Sequence, residues 1–185
     1  MATSHFVSSY RDYQKQEKMI GQQIVYDRLN ELGITYNYLE HPEAPTIEIA
    51  RQYWKNLEST HCKNLFFRNH KGNKHYLVIV HCDYNLDIHA LEKVLGEGKL
   101  SFASPERMMK YLGLRPGSVS PFGLLNDQNH EVIVFFDENL LKAQRLSFHP
   151  NDNRASLSVA LDDFKRYMES TGNRYEWKHL YDNEL

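Results

Sequence analysis

Apolar residues recur at a helical spacing in some parts of the chain and in strand-like runs in others. The helical spacing predicts a first helix from about Tyr10 to Leu32 and a last helix over Leu161–Met168. Alternating or continuous apolar runs predict six strands. These strands are Ile34–Leu39, Asn64–Arg68, Tyr76–His81, Leu100–Ala103, Glu131–Phe136 and Arg145–His149.

Local capping signals predict three more helices. They are a helix from Thr46 to Trp54, one over Asp87–Leu95 that stops at Gly96, and one that begins after Ser104–Pro105 and ends at Gly113. Helices and strands are interleaved, and short turns such as Gly72–Asn73 join neighbouring strands. This order predicts an α+β fold: a single domain with a mixed, largely antiparallel β-sheet flanked by helices.

We place the domain at residues 21–175. Residues 1–20 are expected to be an N-terminal extension that includes the start of the first helix, and residues 176–185 a C-terminal tail. The chain of 185 residues is 41% hydrophobic and 25% charged, which fits one globular core.

Composition also excludes several classes of protein. No apolar run is long enough to cross a membrane, and the first ten residues lack the apolar stretch of a signal peptide. Two cysteines do not make a disulfide framework. We therefore expect reduced thiols, a cytoplasmic location and no membrane partner.

The net charge of −2 argues against a general affinity for nucleic acid and against DNA as a partner. The predicted hairpin is an exception, because Arg68, Lys71 and Lys74 lie close together there without an acidic residue. These cations either belong to a solvated hairpin tip or contact RNA phosphates.

Three short motifs combine polar side chains with strand ends or turns, and together they suggest one pocket. They are His61–Phe66, Gly117–Phe122, and Phe148–Pro150 followed by Asn153. Lys63 can hold a phosphate or a carbonyl oxygen, or it can simply extend to solvent at a strand end. His149 can donate to a ligand or transfer a proton, although a structural histidine is an equally good interpretation.

The turn Gly117–Pro121 cannot be regular helix or sheet. The amides of Ser118, Val119 and Ser120 have no evident partner, so they could form a concave site for an anion or an oxyanion. A plain surface loop is the alternative. A nucleophilic role for Ser118 or Ser120 is disfavoured because the G-x-S-x-G pattern is absent.

Metal and cofactor chemistry have no sequence signature here. The chain contains ten histidines but neither an H-E-x-x-H nor a C-x-x-C pattern. We expect no metal and no cofactor.

In their order and spacing these motifs resemble the free-standing prolyl-tRNA editing domains, the YbaK and prolyl-tRNA synthetase associated domain family. The similarity runs from about Gln22 to Gly172 and includes Glu40–Pro42 and Lys71–Gly72. The chain is most similar to the branch that deacylates alanyl-tRNA(Pro), and the sister branch removes cysteine from the same tRNA.

The resemblance implies an ester hydrolase that uses no side-chain nucleophile. Lys63 and the loop residues Gly117, Ser118, Val119 and Ser120 would form the catalytic set, with backbone amides on the ester carbonyl. A water molecule would attack the ester with help from a ribose hydroxyl of the substrate.

The resemblance also implies substrate-binding residues, namely Thr46, Asn64, Pro121, His149 and Asn153. Asn64 would engage the terminal adenosine or the aminoacyl group, and His149 would line the aminoacyl pocket. Ser59 and Ser156 stand where the family often carries glycine and threonine, which bears on the shape of that pocket.

The implied partner is mischarged tRNA(Pro), with prolyl-tRNA synthetase as a second candidate. Two other functions stay open at this point. One is a module that binds tRNA or a nucleotide without hydrolysis, and the other is a structural or regulatory partner of a synthetase.

Overall fold

The computed structural model describes residues 19–55, 57–85 and 87–181. Its helices are α1 (Gln23–Glu31), α2 (Ile47–Trp54), α3 (Ile88–Leu95), α4 (Pro105–Leu112) and α5 (Leu161–Thr171). Its strands are β1 (Tyr36–Glu40), β2 (Thr60–Asn69), β3 (His75–His81), β4 (Leu100–Phe102), β5 (Val132–Asp137), β6 (Arg145–Phe148), β7 (Ala155–Ala160) and β8 (Tyr175–Lys178). Short 3₁₀ helices lie at Pro121–Asn126 and Glu138–Lys142.

The strands form one sheet in the order β1-β7-β6-β2-β3-β5-β8, with β4 paired to β2. Among the described residues, β1–β7, β2–β3, β2–β4 and β6–β7 are antiparallel, whereas β2–β6, β3–β5 and β5–β8 are parallel. The predicted single α+β domain with a mixed sheet is therefore confirmed.

The sheet carries a hydrophobic core on each face, as the central strand β3 illustrates. Leu77 and Ile79 belong to one core cluster together with residues of α1 and α5. Tyr76, Val78 and Val80 belong to the other cluster, which includes residues of α3. All five side chains are 0% exposed, so β3 is apolar throughout because both of its faces are buried. No helix in the described ranges is long and apolar enough to cross a membrane.

The capping signals place α3 and α4 as predicted. The side chain of Asp87 accepts hydrogen bonds from two amides in the first turn of α3, and Ser104 does so once for α4. Gly96 and Gly113 end these helices in the left-handed conformation, which glycine adopts without strain.

The predicted first helix is shorter than its apolar pattern suggests. Residues before 19 lie outside the described part, and α1 begins at Gln23. Gly21 has a φ of +126°, and a Cβ atom there would lie 2.7 Å from the carbonyl oxygen of Pro150. The next amide, of Gln22, donates to that oxygen at 3.0 Å. This close approach fixes the chain in a non-helical conformation before α1.

Two strands were missed by the sequence analysis. β7 is rich in serine and alanine and has weak strand propensity, yet its first five residues all have at most 1% exposure because it pairs with both β1 and β6. β8 pairs with β5 and extends to Lys178, so it enters the segment 176–185 that was assigned to a tail. Leu180 beyond it is only 4% exposed.

The β2–β3 hairpin is confirmed, and its tip is fixed to α4. The guanidinium of Arg107 donates to the Gly72 carbonyl oxygen and to Nε2 of His75, both at 2.8 Å. The His75 ring is 1% exposed and packs against Tyr111 with 3.8 Å between ring centroids. Burial first, and then the charge of Arg107, lowers the pKa of His75 to about 4.

This low pKa predicts a loss of stability in mild acid. Between the ordinary pKa near 6.5 and the folded pKa of about 4, the unfolded chain binds a proton that the folded chain does not. The free energy of unfolding should therefore fall by about 2 kcal/mol per such histidine from pH 7 to pH 5. His75→Gln keeps an acceptor for Arg107 but does not titrate, so denaturant unfolding should show less pH dependence in this variant. The exposed His70→Gln serves as the control, and equal pH dependence in His75→Gln and wild type would contradict the prediction.

Candidate active site

A gap along one edge of β2 creates a cavity in the described part of the protein. On that edge β2 pairs with β6 at Thr60–His61 and with β4 at Phe67–Asn69. Among the described residues, 62–66 pair with no strand on that edge, although the amide of Ala103 donates to the carbonyl oxygen of Phe66. On the opposite edge, β3 pairs with residues 62–68. A cavity of ≈250 Å³ lies at this gap.

The walls of the cavity come from distant parts of the sequence. They are residues 44–47 with Ala50 and Trp54, residues 62–66, Phe102 and Met108, the turn residues Pro116, Gly117 and Val119, and His149. One ionised side chain, that of Lys63, belongs to this lining, and no carboxylate does. Such a lining suits an anionic or strongly polar ligand that also carries apolar parts.

The structure brings together six of the predicted site residues around this cavity. They are Thr46, Lys63, Asn64, Gly117, Val119 and His149. The other four predicted residues from the same motifs, Ser118, Ser120, Pro121 and Asn153, do not belong to its lining.

Lys63 and Asn64 are consecutive residues of β2, and both line the cavity. The ammonium of Lys63 donates to the carbonyl oxygen of Tyr84 at 2.5 Å. The side-chain Nδ2 atom of Asn64 donates to the carbonyl oxygen of Val119 at 3.0 Å and so connects β2 to the turn. Its Oδ1 atom is buried and has no hydrogen-bond partner among the described residues, which leaves an acceptor available for a ligand.

The turn offers fewer free amides than its sequence predicts. The amide of Ser118 is not free, because it donates to the carbonyl oxygen of Arg115 at 3.1 Å and closes a tight turn. The amides of Val119 and Ser120 have no acceptor within the described ranges. Gly117 has a φ of +84°, a conformation that favours glycine. An oxyanion site in this turn therefore rests on two amides instead of three.

Ser120 and Pro121 are structural in this arrangement. The hydroxyl of Ser120 is fully buried, donates to the carbonyl oxygen of His149 at 2.7 Å and accepts from the amide of Phe122. The carbonyl oxygen of Pro121 accepts a hydrogen bond from the Tyr167 hydroxyl at 3.0 Å. Ser120 thus holds the turn against His149, and its hydroxyl is not placed for nucleophilic attack.

The ring of His149 is held in one orientation at the end of β6. Its Nδ1 atom lies 2.9 Å from the carbonyl oxygen of Ala155, which only accepts, so Nδ1 carries the proton and Nε2 does not. Burial lowers the pKa of His149, and the neighbouring His41 acts in the same direction. The neutral ring can therefore accept a hydrogen bond at Nε2.

Asn153 supports the wall formed by residues 44–47. Its side chain is 6% exposed and donates to Oε1 of Glu43 at 3.4 Å, while its carbonyl oxygen accepts from the amide of Ala44 at 3.1 Å. Thr46 lines the cavity directly and precedes α2, but its side chain accepts no capping hydrogen bond.

The sequence analysis missed the aromatic side of the site. The Trp54 and His61 rings stack with 4.1 Å between centroids, and burial lowers the pKa of His61 to about 4. A smaller cavity of ≈10 Å³ lies beside Trp54, Cys62, His149 and Ser156. The helical spacing of Ile47, Ala50 and Trp54 was a usable signal for this face of α2.

The hairpin cations do not belong to the lining of the cavity. The guanidinium of Arg68 donates to the carbonyl oxygens of Asn69 and His70, and Lys74 forms an ion pair with Glu97 at 2.9 Å. Lys71 is exposed at the tip. Binding of tRNA by these residues stays a prediction.

One group of potential metal ligands occurs in the described part of the chain, at His81, Cys82 and Asp83. Asp83 is already ion-paired with Arg51, and its amide donates to Nδ1 of His81 at 3.2 Å. These contacts engage the donor atoms that a metal would need.

Comparison with known proteins connects this geometry to one family. The family model of the aminoacyl-tRNA editing domain matches residues 41–167. The prolyl-tRNA editing protein ProX of Acetoanaerobium sticklandii is 40% identical over 85% of this chain and 96% of its own length. Prolyl-tRNA synthetase associated domain-containing protein 1 of Mus musculus is 32% identical over 79% of this chain and 88% of its own.

A solved structure shows the same fold. It belongs to a protein provisionally described as a trans-editing enzyme for prolyl tRNA synthetase, and it matches with a TM-score of 0.61 at 22% identity. The match covers 84% of this chain and 94% of the other.

Proposed function

The chain belongs to the aminoacyl-tRNA editing domain family, and from this premise we propose that it hydrolyses the ester of mischarged tRNA(Pro), with alanyl-tRNA(Pro) as its substrate. The observation that carries the proposal is the cavity at the open edge of β2. Its described lining combines one cation, Lys63, with the unpartnered amide of Val119, and it contains no nucleophile held by a base.

Catalysis in such a site depends on positioning and electrostatics. The amides of Val119 and Ser120 would stabilise the negative charge that develops on the ester carbonyl oxygen during attack by water. Lys63 would add a positive charge near the reacting end, and Oδ1 of Asn64 would accept a hydrogen bond from the substrate. The two free amides and the unpartnered oxygen support these roles.

The size of the smaller cavity supports alanine as the amino acid. This space of ≈10 Å³ beside His149 and Ser156 has room for about one water-sized group, which favours a small side chain over a pyrrolidine ring. An editing enzyme must spare the correct product, and steric exclusion of a larger side chain achieves this. Cysteine, the substrate of the sister branch, is the second candidate.

We expect hydrolysis of Ala-tRNA(Pro) to exceed that of Pro-tRNA(Pro) by roughly a hundredfold or more, because the smaller cavity disfavours the pyrrolidine ring of proline. The measurement compares Ala-, Cys-, Ser- and Pro-tRNA(Pro) under one set of conditions. Equal rates for the alanyl and prolyl esters would rule out an editing role, and a preference for cysteine would assign the chain to the sister branch.

The same experiment tests the alternative functions. Binding of tRNA without hydrolysis of any ester would identify a non-catalytic binding module. We propose the cytoplasm as the location, where the substrate tRNA is available, and prolyl-tRNA synthetase as a further partner, which co-purification would detect.

A further inference from the structure

An exposed aromatic ring at one end of the cavity has no role in the chemistry described above. Phe102 is 54% exposed, the largest fraction among the exposed large apolar side chains of the described residues. It nevertheless lines the cavity that contains Lys63 and Asn64. Its inner face stacks on the fully buried Phe67 with 4.6 Å between centroids and 25° between ring planes.

The pairing of the strands places Phe102 far from the aminoacyl end. Phe102 pairs with Phe67, whereas His149 follows β6, which pairs with β2 at Thr60–His61. Five residues of extended strand separate Cys62 from Phe67, which corresponds to about 16 Å. The cavity therefore runs along β2 from His149 to Phe102, with Lys63 and Asn64 between its ends.

We propose that Phe102 is a stacking platform for the adenine of the 3′-terminal nucleotide of the tRNA. The proposal rests on the function proposed above, in which the ester occupies the end near His149. With the ester there and the ribose beside Lys63 and Asn64, the base reaches the other end of the cavity. One face of the Phe102 ring is supported by Phe67, and its exposed area can accept a flat partner.

The lining of the cavity favours a nucleotide over an apolar peptide. The only ionised group in the described lining is a cation, Lys63, which attracts a phosphate. Every base has a π-face, and stacking on one aromatic ring contributes roughly five- to 150-fold to affinity. Phe102 would thus bind every aminoacyl ester equally and would not select the amino acid.

The test separates binding from chemistry through steady-state hydrolysis of Ala-tRNA(Pro). Phe102→Ala should raise KM by about tenfold with little change in kcat, because stacking is retained in both the ground state and the transition state. Phe102→Trp should keep KM near the wild-type value, and Phe102→Leu should fall between them. Leu141→Ala removes an exposed apolar side chain outside the cavity and serves as the control. Thermal unfolding of each variant checks that the fold is retained.

A second measurement uses tRNA(Pro) with 2-aminopurine in place of the terminal adenine. Its fluorescence should be quenched on binding to wild type and to Phe102→Trp, but not to Phe102→Ala. If wild type hydrolyses the ester while Phe102→Ala shows unchanged KM and unchanged quenching, the proposed stacking of the terminal adenine on Phe102 is wrong and the proposed function stands. If wild type hydrolyses no ester, the proposed function is wrong, and the fluorescence still decides whether the base stacks on Phe102.

Discussion

Lys63→Ala is expected to slow hydrolysis of Ala-tRNA(Pro) by about thirty- to a thousandfold, because a charge-assisted contact to the reacting end contributes roughly 2–4 kcal/mol. Lys63 supplies the only ionised side chain in the described lining of the cavity, so no other described lining residue can replace its charge. Its hydrogen bond to the carbonyl oxygen of Tyr84 fixes the position of the ammonium. Single-turnover hydrolysis at saturating enzyme measures the effect on the chemical step.

Two further variants serve as comparisons for Lys63→Ala. Lys63→Arg keeps the charge but spreads it over a wider, planar group, so we expect an intermediate rate. Lys142→Ala removes an exposed lysine that does not line the cavity and should behave as wild type. Near-normal turnover by Lys63→Ala would remove this residue from the mechanism.

Asn64→Ala is expected to lower kcat/KM by about ten- to a hundredfold, because misplacement of catalytic groups by a fraction of an ångström is costly. The substitution removes the hydrogen bond to the carbonyl oxygen of Val119, which holds the turn that carries the two free amides. It also removes the unpartnered Oδ1 acceptor. Asn64→Asp retains the size of the side chain but cannot donate to Val119, so its loss should be at least as large.

Asn69→Ala, at the other end of β2, provides a matched control. It removes hydrogen bonds to Asn73 and Lys74 within the hairpin, so it should lower thermal stability and leave hydrolysis unchanged. If Asn64→Ala lost only stability and kept its kcat/KM, Asn64 would be a structural residue and not a positioning one.

Much of the fold could be predicted because its signals are local. A capping side chain and a glycine mark both ends of α3 and of α4 within ten residues. β7 and β8 could not be found in this way, since β7 is defined by its two neighbours and β8 by its pairing with β5. Likewise, the start of α1 depends on contact between Gly21 and a residue more than a hundred positions away.

The candidate site, too, could be predicted only where its signals are local in the sequence. The motifs identified the residues of the cavity edge, Lys63, Asn64 and His149, because each combines a polar group with a strand end. They could not show that the amide of Ser118 is already bonded or that Lys74 is paired with Glu97. Such partnerships depend on distances in space, which spacing along the chain does not encode.

The short parallel contact between β2 and β6 has a consequence for motion. Within the described residues it joins two half-sheets through Thr60–His61 and Leu146–Ser147 alone. A strand pairing of two residues unfolds locally more readily than the long β2–β3 pairing. The backbone amides in the β2–β6 pairing should therefore exchange with deuterium sooner. A ligand that spans the gap touches both half-sheets and acts as a cross-link between them. Occupancy of the cavity should therefore slow deuterium uptake in β6 and β7, far beyond the atoms that the ligand contacts.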